Sequence, residues 1–203
     1  MKDHYIITVG REFGSGGRAV GKLLAAQLGI NYYDKDVLAE IAEERGFDPS
    51  AFKDYTEVPR GNLLFNIATG EAPGALEGQR EFDKIFQVQS EIIQRVASEG
   101  SCVIVGRCAD YILRGAVNLV SVFVHADYET RKQRLMTLHD IASEDVMGVI
   151  TRSDEQRAAY YAYCTNSDWH GLKNYDLSLD CGNISVDDLA RVILEFVRLK
   201  FMP

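Results

Sequence analysis

Three glycines near the amino terminus have the spacing of a loop that binds an anion. The loop residues are Gly14, Ser15, Gly16, Gly17, Arg18 and Ala19. A backbone without bulky side chains can point several N–H groups at one anion, and the start of a helix adds partial positive charge there. We therefore predict that this loop holds phosphate groups. A glycine-rich turn between a strand and a helix, without a ligand, is the alternative interpretation.

The loop lacks two side chains of the phosphate-binding pattern G-x-x-x-x-G-K-[ST]. In that pattern the lysine contacts the outer phosphates and the hydroxyl group holds magnesium. When Gly14-Ser15-Gly16 is aligned with the end of the pattern, Gly17 takes the lysine position, and Arg18 and Ala19 follow it. Arg18 is a candidate substitute for the lysine, because one guanidinium group can donate two parallel hydrogen bonds to phosphate oxygens. Ala19 has no side-chain oxygen, so the metal ligands stay unassigned.

Hydrophobic spacing predicts the elements that position this loop. Apolar residues 6–9 form a strand before it, and apolar residues recur at helical steps over residues 20–28 after it. Further strands are predicted at residues 30–33, 102–105, 119–124 and 176–180, with helices between them. This alternation predicts an α/β domain, a three-layer αβα fold with a mostly parallel five-stranded sheet.

Charged residues follow two of these strands. Asp34 ends the second strand, and Arg107 and Asp110 follow the third. In an open parallel sheet, the carboxyl ends of the strands border the crevice where ligands bind. We therefore expect these three side chains to face that crevice.

Two segments interrupt the alternation. Residues 46–80 hold three of the four prolines without a sustained period, which is typical of a binding lid or a connecting loop. A contact between two copies of the chain is another interpretation. Residues 151–170 combine two arginines with tyrosines and the only tryptophan, and a short helix is expected before them, from about residue 143. This segment can close over a nucleotide or form a surface helix with a packed aromatic face.

Composition narrows the function classes. The chain has 203 residues and a formal net charge of -8, which argues against a broad basic surface for nucleic acid. No apolar stretch is long enough to cross a membrane and no signal peptide is recognisable, so a cytoplasmic location is predicted. The four cysteines form no C-x-x-C pair and the four histidines are scattered, so neither zinc nor a redox motif is indicated.

Taken together, these motifs resemble the cytidylate-kinase-like branch of the P-loop nucleoside monophosphate kinases. The likeness extends over residues 6–197, and its most particular stretches are residues 11–18, 32–35 and 154–163. The resemblance implies the P-loop NTPase fold in a single domain over residues 1–203. It also implies an acceptor-binding insertion at residues 46–80 and a lid segment at residues 150–170.

The resemblance assigns roles to individual residues. Asp34 matches the acid of an acceptor-binding D-S-G corner, in which Lys35 replaces the serine. Arg107 matches the arginine of a G-R-D motif, in which Cys108 replaces the acid. A lid Asp-x-x-Arg that engages phosphates and acceptor is matched by Asp154 and Arg157.

The leading hypothesis is a kinase that moves the γ-phosphoryl group of ATP to a (d)CMP-like nucleoside monophosphate or a related small acceptor. The residues expected to be catalytic are Arg18, Arg152, Asp154 and Arg157, and Arg11 and Arg107 are further cations that can share the task of the absent lysine. ATP and Mg²⁺ are the implied cofactors. Ser15 and Asp34 are candidates for assisting magnesium binding through water molecules.

Small-molecule nucleotides are the expected partners, without nucleic acid or membrane, and a homo-oligomer is compatible with the sequence. Two other functional classes are compatible with the sequence. One is a catalytically weak or inactive nucleotide-binding module, and the other is an oligomer-forming protein with a vestigial phosphate site.

Overall fold

The computed structural model describes residues 4–47, 75–139 and 146–201. Its strands are β1 (Ile6–Arg11), β2 (Asn31–Tyr33), β3 (Cys102–Val105), β4 (Leu119–His125) and β5 (Leu177–Asp180). They form one sheet in the order β2-β3-β1-β4-β5, in which every neighbouring pair is parallel. The predicted α/β fold is confirmed. Most of the predicted acceptor-binding insertion, residues 48–74, lies outside the described residues.

The described helices are α1 (Gly17–Leu28), α2 (Lys35–Glu44), α3 (Ala75–Glu99), α4 (Ala109–Ile112), α5 (Tyr128–His139), α6 (Val146–Thr165) and α7 (Val186–Phe201), with a 3₁₀ turn at Leu172–Asn174. The expectation of a short helix from about residue 143 is wrong, because α6 runs for 20 residues into the predicted lid. Along the described parts of the chain, no helix combines the length and the apolar character that a membrane span requires.

Apolar side chains cover both faces of the sheet and account for the three layers. On one face, α1 and α7 pack against Val9 and its neighbours, with Leu24 and Ile193 fully buried. On the other face, α2, α3 and α4 surround Ile104, with Ile93 fully buried. Parallel strands that are buried on both sides read as continuous apolar runs, which is the pattern that β1 and β3 show in the sequence.

The central strand β1 carries the glycine-rich loop. It pairs with β4 on one side and with β3 on the other, where Val9 lies opposite Val105. The carboxyl ends of β1 and β3 therefore lie side by side, and the loop is a neighbour of Gly106 and Arg107. Gly21 lets α1 approach the sheet closely, because a Cβ atom at this position would lie 2.7 Å from Val105 Cγ2.

The packing of α7 predicts the effect of two matched substitutions. Leu189 is 1% exposed, so Leu189→Ala is expected to lower the free energy of unfolding by about 2 to 5 kcal/mol through lost burial and a new cavity. Leu199 on the same helix is 67% exposed, and Leu199→Ala is expected to cost less than about 0.5 kcal/mol. Urea unfolding followed by circular dichroism measures both values. Equal losses would contradict this packing.

Candidate active site

A cleft of about 850 Å³ opens at the carboxyl ends of β1 and β3. Its walls come from the glycine-rich loop, the start of α1, the turn after β3 and α6. The predicted site residues that line it are Gly14, Gly16, Gly17, Arg18, Ala19, Asp34, Arg107, Asp110, Arg152 and Arg157. Ser15 and Asp154, which were also predicted, instead bond to neighbouring protein groups.

The loop leaves the first backbone N–H groups of α1 without side-chain caps. Gly14 and Gly16 have left-handed φ angles of 77° and 88°, which residues with a Cβ atom rarely adopt. α1 begins directly after Gly16 without a side-chain cap from the described residues, and Val20 N–H donates the first helical bond to Gly16 O at 3.0 Å. The N–H groups of residues 17–19 precede that bond, so they are the donors that a helix start offers to an anion.

Arg18 connects this loop to the predicted acceptor corner. Its guanidinium group forms ion pairs with Asp34 (2.7 Å) and Asp36 (2.6 Å). The buried Asp34 carboxylate also accepts hydrogen bonds from the Tyr32 hydroxyl at 3.0 Å and from the N–H groups of Asp36 and Val37. Burial alone would raise the pKa of Asp34, but these hydrogen bonds and Arg18 outweigh it and lower that pKa. Asp34 is therefore a fixed negative charge that holds Arg18.

The turn after β3 has a strained backbone that positions Arg107. Gly106, Arg107 and Cys108 have left-handed φ angles of 75°, 59° and 54°. This conformation costs roughly 1 to 3 kcal/mol for a residue with a side chain. Gln89 on α3 is 1% exposed and donates to Arg107 O (3.1 Å) and to the Tyr160 hydroxyl (2.7 Å). These buried bonds connect the turn to α3 and α6 and stabilise it.

Three arginine side chains meet in the cleft. Arg11 comes from the end of β1 and Arg107 from the turn after β3, while Arg157 on α6 donates through Nη1 to Arg11 O at 3.2 Å. Burial lowers the pKa of all three, and repulsion from Arg157 and Arg107 helps to lower the pKa of Arg11 to about 9.

Arg11 thus remains protonated at neutral pH. Among residues 4–47, 75–139 and 146–201, no carboxylate forms an ion pair with it. The cluster of Arg11, Arg107 and Arg157, here called the arginine cluster, carries positive charge that a bound anion can neutralise.

A network of carboxylates fixes α6 relative to the loop. Asp154 on α6 accepts hydrogen bonds from Phe13 N–H (2.7 Å) and from Arg131 Nη1 on α5. Arg131 Nε lies 3.6 Å from the Glu12 carboxylate, which accepts a hydrogen bond from Ala126 N–H (3.3 Å). The side chains of the Arg131 ion pairs are only 12% and 16% exposed. Asp154 therefore holds α6 in position against the loop.

Sequence reasoning assigned no role to Glu12, Arg131 or Arg134. Arg134 donates through Nη1 to Ser15 O and through Nη2 to Cys181 O, both at 2.8 Å, and so joins α5 to the loop and to the end of β5. The sequence signal for the two arginines is the basic stretch at residues 131–134, which follows the fourth strand. Arg131 and Arg134 are three residues apart and therefore share one face of a helix. The run does not reveal which cation meets a carboxylate and which meets a carbonyl group.

Two further predicted residues border the cleft in different environments. Asp110 is 9% exposed, and burial raises its pKa although the Tyr161 hydroxyl donates to it at 2.6 Å. Arg152 is exposed on α6. Trp169 and Tyr175 also line the cleft, so it combines polar groups with aromatic rings, as small-molecule pockets commonly do.

The oxygen atoms near the loop do not fit a magnesium ion held directly by the protein. Ser15 Oγ donates to Glu12 O (2.9 Å), Ala19 has no side-chain oxygen, and Asp34 already accepts four hydrogen bonds. In the described ranges, no three or more His, Cys, Asp or Glu side chains form a group that could hold a metal. Magnesium at phosphate sites commonly takes its ligands from water and from the substrate phosphates.

Comparisons with known proteins agree with this architecture. The sequence model of the cytidylate kinase-like family matches residues 6–183. A cytidylate kinase from Pyrobaculum aerophilum is 25% identical over 192 residues, which cover 94% of this chain and 91% of that protein. An uncharacterized protein from Eubacterium ventriosum superposes with a TM-score of 0.73 at 27% identity, covering 95% of this chain and 98% of the other. Shikimate kinase from Acinetobacter baumannii shares the fold, with a TM-score of 0.54 at 16% identity over 100% of this chain and 97% of the other.

The network around Asp154 predicts a large loss of stability when the carboxylate is removed. Asp154→Ala removes the closer ion-pair partner of the mostly buried Arg131 and leaves it with the Glu12 carboxylate and the Phe13 carbonyl oxygen. The expected cost is about 3 kcal/mol in urea unfolding. The control is Glu195→Ala, which removes an ion pair with side chains 57% and 70% exposed and should cost less than about 1 kcal/mol. A loss for Asp154→Ala as small as the control would show that the network does not hold α6.

The pKa of Asp34 predicts a pH-dependent contribution to stability. Because this pKa is lower in the folded state, ionised Asp34 stabilises the protein above about pH 4, and this contribution is lost as the pH falls through the folded-state value. The difference in unfolding free energy between wild type and Asp34→Asn should therefore shrink below about pH 4. Urea titrations over a pH series test this, and a difference that does not change with pH would contradict it.

Proposed function

The chain belongs to the cytidylate kinase-like family, a family of phosphotransferases, and we propose that it transfers the γ-phosphoryl group of ATP to a (d)CMP-like nucleoside monophosphate or a related small acceptor. The observation that carries this proposal is the arginine cluster beside the uncapped start of α1. The relative from Pyrobaculum aerophilum is named a cytidylate kinase, which supports a pyrimidine monophosphate as acceptor. Family membership implies ATP with Mg²⁺.

The charge of the cleft favours a polyanionic ligand. The chain as a whole has a formal charge of -8, yet the arginine cluster lies in one cleft together with Lys35, whose pKa is lowered by burial and by nearby arginines. Two bound nucleotides bring several negative charges to this place. Binding relieves the repulsion among the cations, and each guanidinium group can then form charge-assisted hydrogen bonds to phosphate oxygens.

The proposed step is an in-line displacement at the γ-phosphorus. An acceptor oxygen forms the new bond to phosphorus while the bond to the β–γ bridging oxygen breaks. The electron pair stays on that bridging oxygen, ADP leaves, and a proton carried by the acceptor goes to water. Phosphoryl transfer depends mainly on positioning and electrostatic stabilisation, and these are the tasks that the groups around the cleft can perform.

The contacts support a division of tasks among the residues. The loop of residues 14–19 holds the donor phosphates through the N–H groups of residues 17–19, and Arg157 with the exposed Arg152 stabilises the migrating charge from α6. Arg107 and Asp110 face the acceptor.

Two residues expected to be catalytic receive different tasks. Arg18, paired with Asp34 and Asp36, orders the acceptor corner. Asp154, bonded to Phe13 and Arg131, is a positioning residue for the helix that carries Arg157. Both assignments follow from partners that the sequence does not reveal.

A nucleotide-binding module without transferase activity is the second candidate. The observations that favour it are Gly17 at the position of the usual lysine and Arg18, which has no hydroxyl group, at the position of the usual serine or threonine. Loss of a strong electrostatic contact in an active site lowers rates by about two to three powers of ten. Tight nucleotide binding without turnover for every acceptor would support this candidate over the kinase.

The first test is ADP production by the purified protein with Mg-ATP and separate acceptors: each ribo- and deoxyribonucleoside monophosphate and shikimate-sized alcohols. CMP or dCMP is expected to give the strongest signal. Arg157→Ala should lower kcat by about two to three powers of ten, because it removes a cation that pairs with charge in the transition state. The affinity for ATP, measured by calorimetry, should fall less.

Arg198→Ala is the matched control, because this arginine lies on α7 and is 70% exposed. The kcat of this variant should equal that of the wild type. Equal losses of turnover and of ATP affinity in Arg157→Ala would remove the assigned role of Arg157. Absence of ADP production with every acceptor would overturn the proposed reaction.

A further inference from the structure

Positions 11 and 17 of the loop carry exchanged residue types. When Gly16 is the second glycine of G-x-x-x-x-G-K-[ST], the first glycine falls at position 11 and the lysine at position 17. This chain has Arg11 where the pattern has glycine, and Gly17 where the pattern has lysine. One long cationic side chain and one glycine are therefore both present, with their positions reversed.

The side chains of these two positions compete for the same space. A Cβ atom added to Gly17 would lie 2.5 Å from Arg11 Cβ and 3.0 Å from Arg11 Cγ. Carbon atoms that are not bonded to each other pack at about 3.5 to 4.0 Å. The stem of Arg11 therefore fills the room that a lysine stem at position 17 would need.

Gly106 makes room for the other end of Arg11. A Cβ atom at Gly106 would overlap Arg11 Nη1 and would lie 2.9 Å from Arg11 Cζ. The guanidinium group thus lies against the turn after β3, beside Arg107 and Arg157, and both ends of the side chain require a glycine neighbour. The Arg11 side chain lines the same cleft as the residues at the start of α1.

Other arginines around the loop have protein partners. Arg18 is paired with two aspartates, Arg131 with Asp154, and Arg134 donates to two carbonyl groups. Within the three described ranges, the Arg11 guanidinium makes neither an ion pair nor a hydrogen bond. A mostly buried cation of this kind is unfavourable for folding unless it is neutralised, so its place is explained by a ligand.

We propose that Arg11 supplies the cation that the standard loop takes from its lysine, so that a guanidinium group from the first loop position contacts the outer phosphates of the donor nucleotide. The anion-binding part of this inference stands on the geometry of the loop, and its catalytic part rests on the proposed phosphoryl transfer. Hydrogen bonds from Arg11 to phosphoryl oxygens strengthen as negative charge builds up on them.

The test exchanges the two residues. Four proteins are compared: wild type, Arg11→Gly, Gly17→Lys and the double variant Arg11→Gly/Gly17→Lys, which restores glycine at position 11 and lysine at position 17. Calorimetry measures the affinity for Mg-ATP and for inorganic tripolyphosphate, ADP production measures kcat, and thermal unfolding verifies that each protein is folded. Arg198→Gly on α7 is the control for loss of a surface arginine.

Arg11→Gly is expected to weaken tripolyphosphate and ATP binding at least about tenfold and to lower kcat by about two to three powers of ten. Gly17→Lys alone should bring no gain, since Arg11 occupies the space. The double variant should recover at least about tenfold in both affinity and kcat relative to Arg11→Gly. Arg11→Met adds a second readout: its melting temperature without ligand should equal or exceed that of the wild type, because an unneutralised cation is removed.

Polyphosphate affinity within about twofold of wild type in both Arg11→Gly and Arg11→Met would overturn the inference. A folded double variant that binds and turns over no better than Arg11→Gly would also overturn it. If Arg11 is required for polyphosphate binding but no acceptor is phosphorylated, the inference stands and the proposed function fails. If wild type and Arg11→Met transfer phosphoryl groups equally well, the proposed function stands and the inference fails.

Discussion

Positive charge held at low exposure, at the carboxyl ends of β1 and β3, is the constraint on which the other features of the site depend. Removing an ionised group from water costs free energy unless partners compensate for it. In the arginine cluster the neighbours are largely other cations, and burial and mutual repulsion lower the pKa of Arg11. The folded chain thus contains an unfavourable interaction that a bound anion would relieve, and the surrounding elements must be rigid enough to keep the cations together.

The rigidity comes from contacts between the elements that form the cleft. Glu12, Arg131 and Asp154 join the loop to α5 and α6 through mostly buried ion pairs. Gln89 holds the carbonyl group of Arg107 in a left-handed turn. These bonds fix backbone segments from distant parts of the sequence, so the arginine side chains are kept close to each other. In physical terms, ion pairs at the periphery stabilise a centre that is electrostatically unfavourable until a ligand binds.

The sequence predicted the centre of the sheet well because β1, β3 and β4 are covered on both faces, which produces short and continuous apolar runs. It predicted the wall of the cleft because glycine spacing and polar residues at strand ends are local signals. The length of α6 was missed, since Val146 and Ile150 pack in one cluster and Tyr160 and Tyr161 in another, so no single helical face repeats along it. The partners of Arg18, Arg131 and Arg134 were also missed. Whether an arginine meets a ligand, a carboxylate or a carbonyl group depends on tertiary contacts that no local pattern encodes.

The close contact between Arg11 and Gly17 has an evolutionary consequence. A lysine stem at position 17 overlaps the Arg11 stem, whereas glycine at both positions removes the cation that we assign to Arg11. With that assignment, an exchange of the two residues by single substitutions passes through a loop that is either crowded or lacks this cation. The effect of a substitution at either position then depends on the residue at the other.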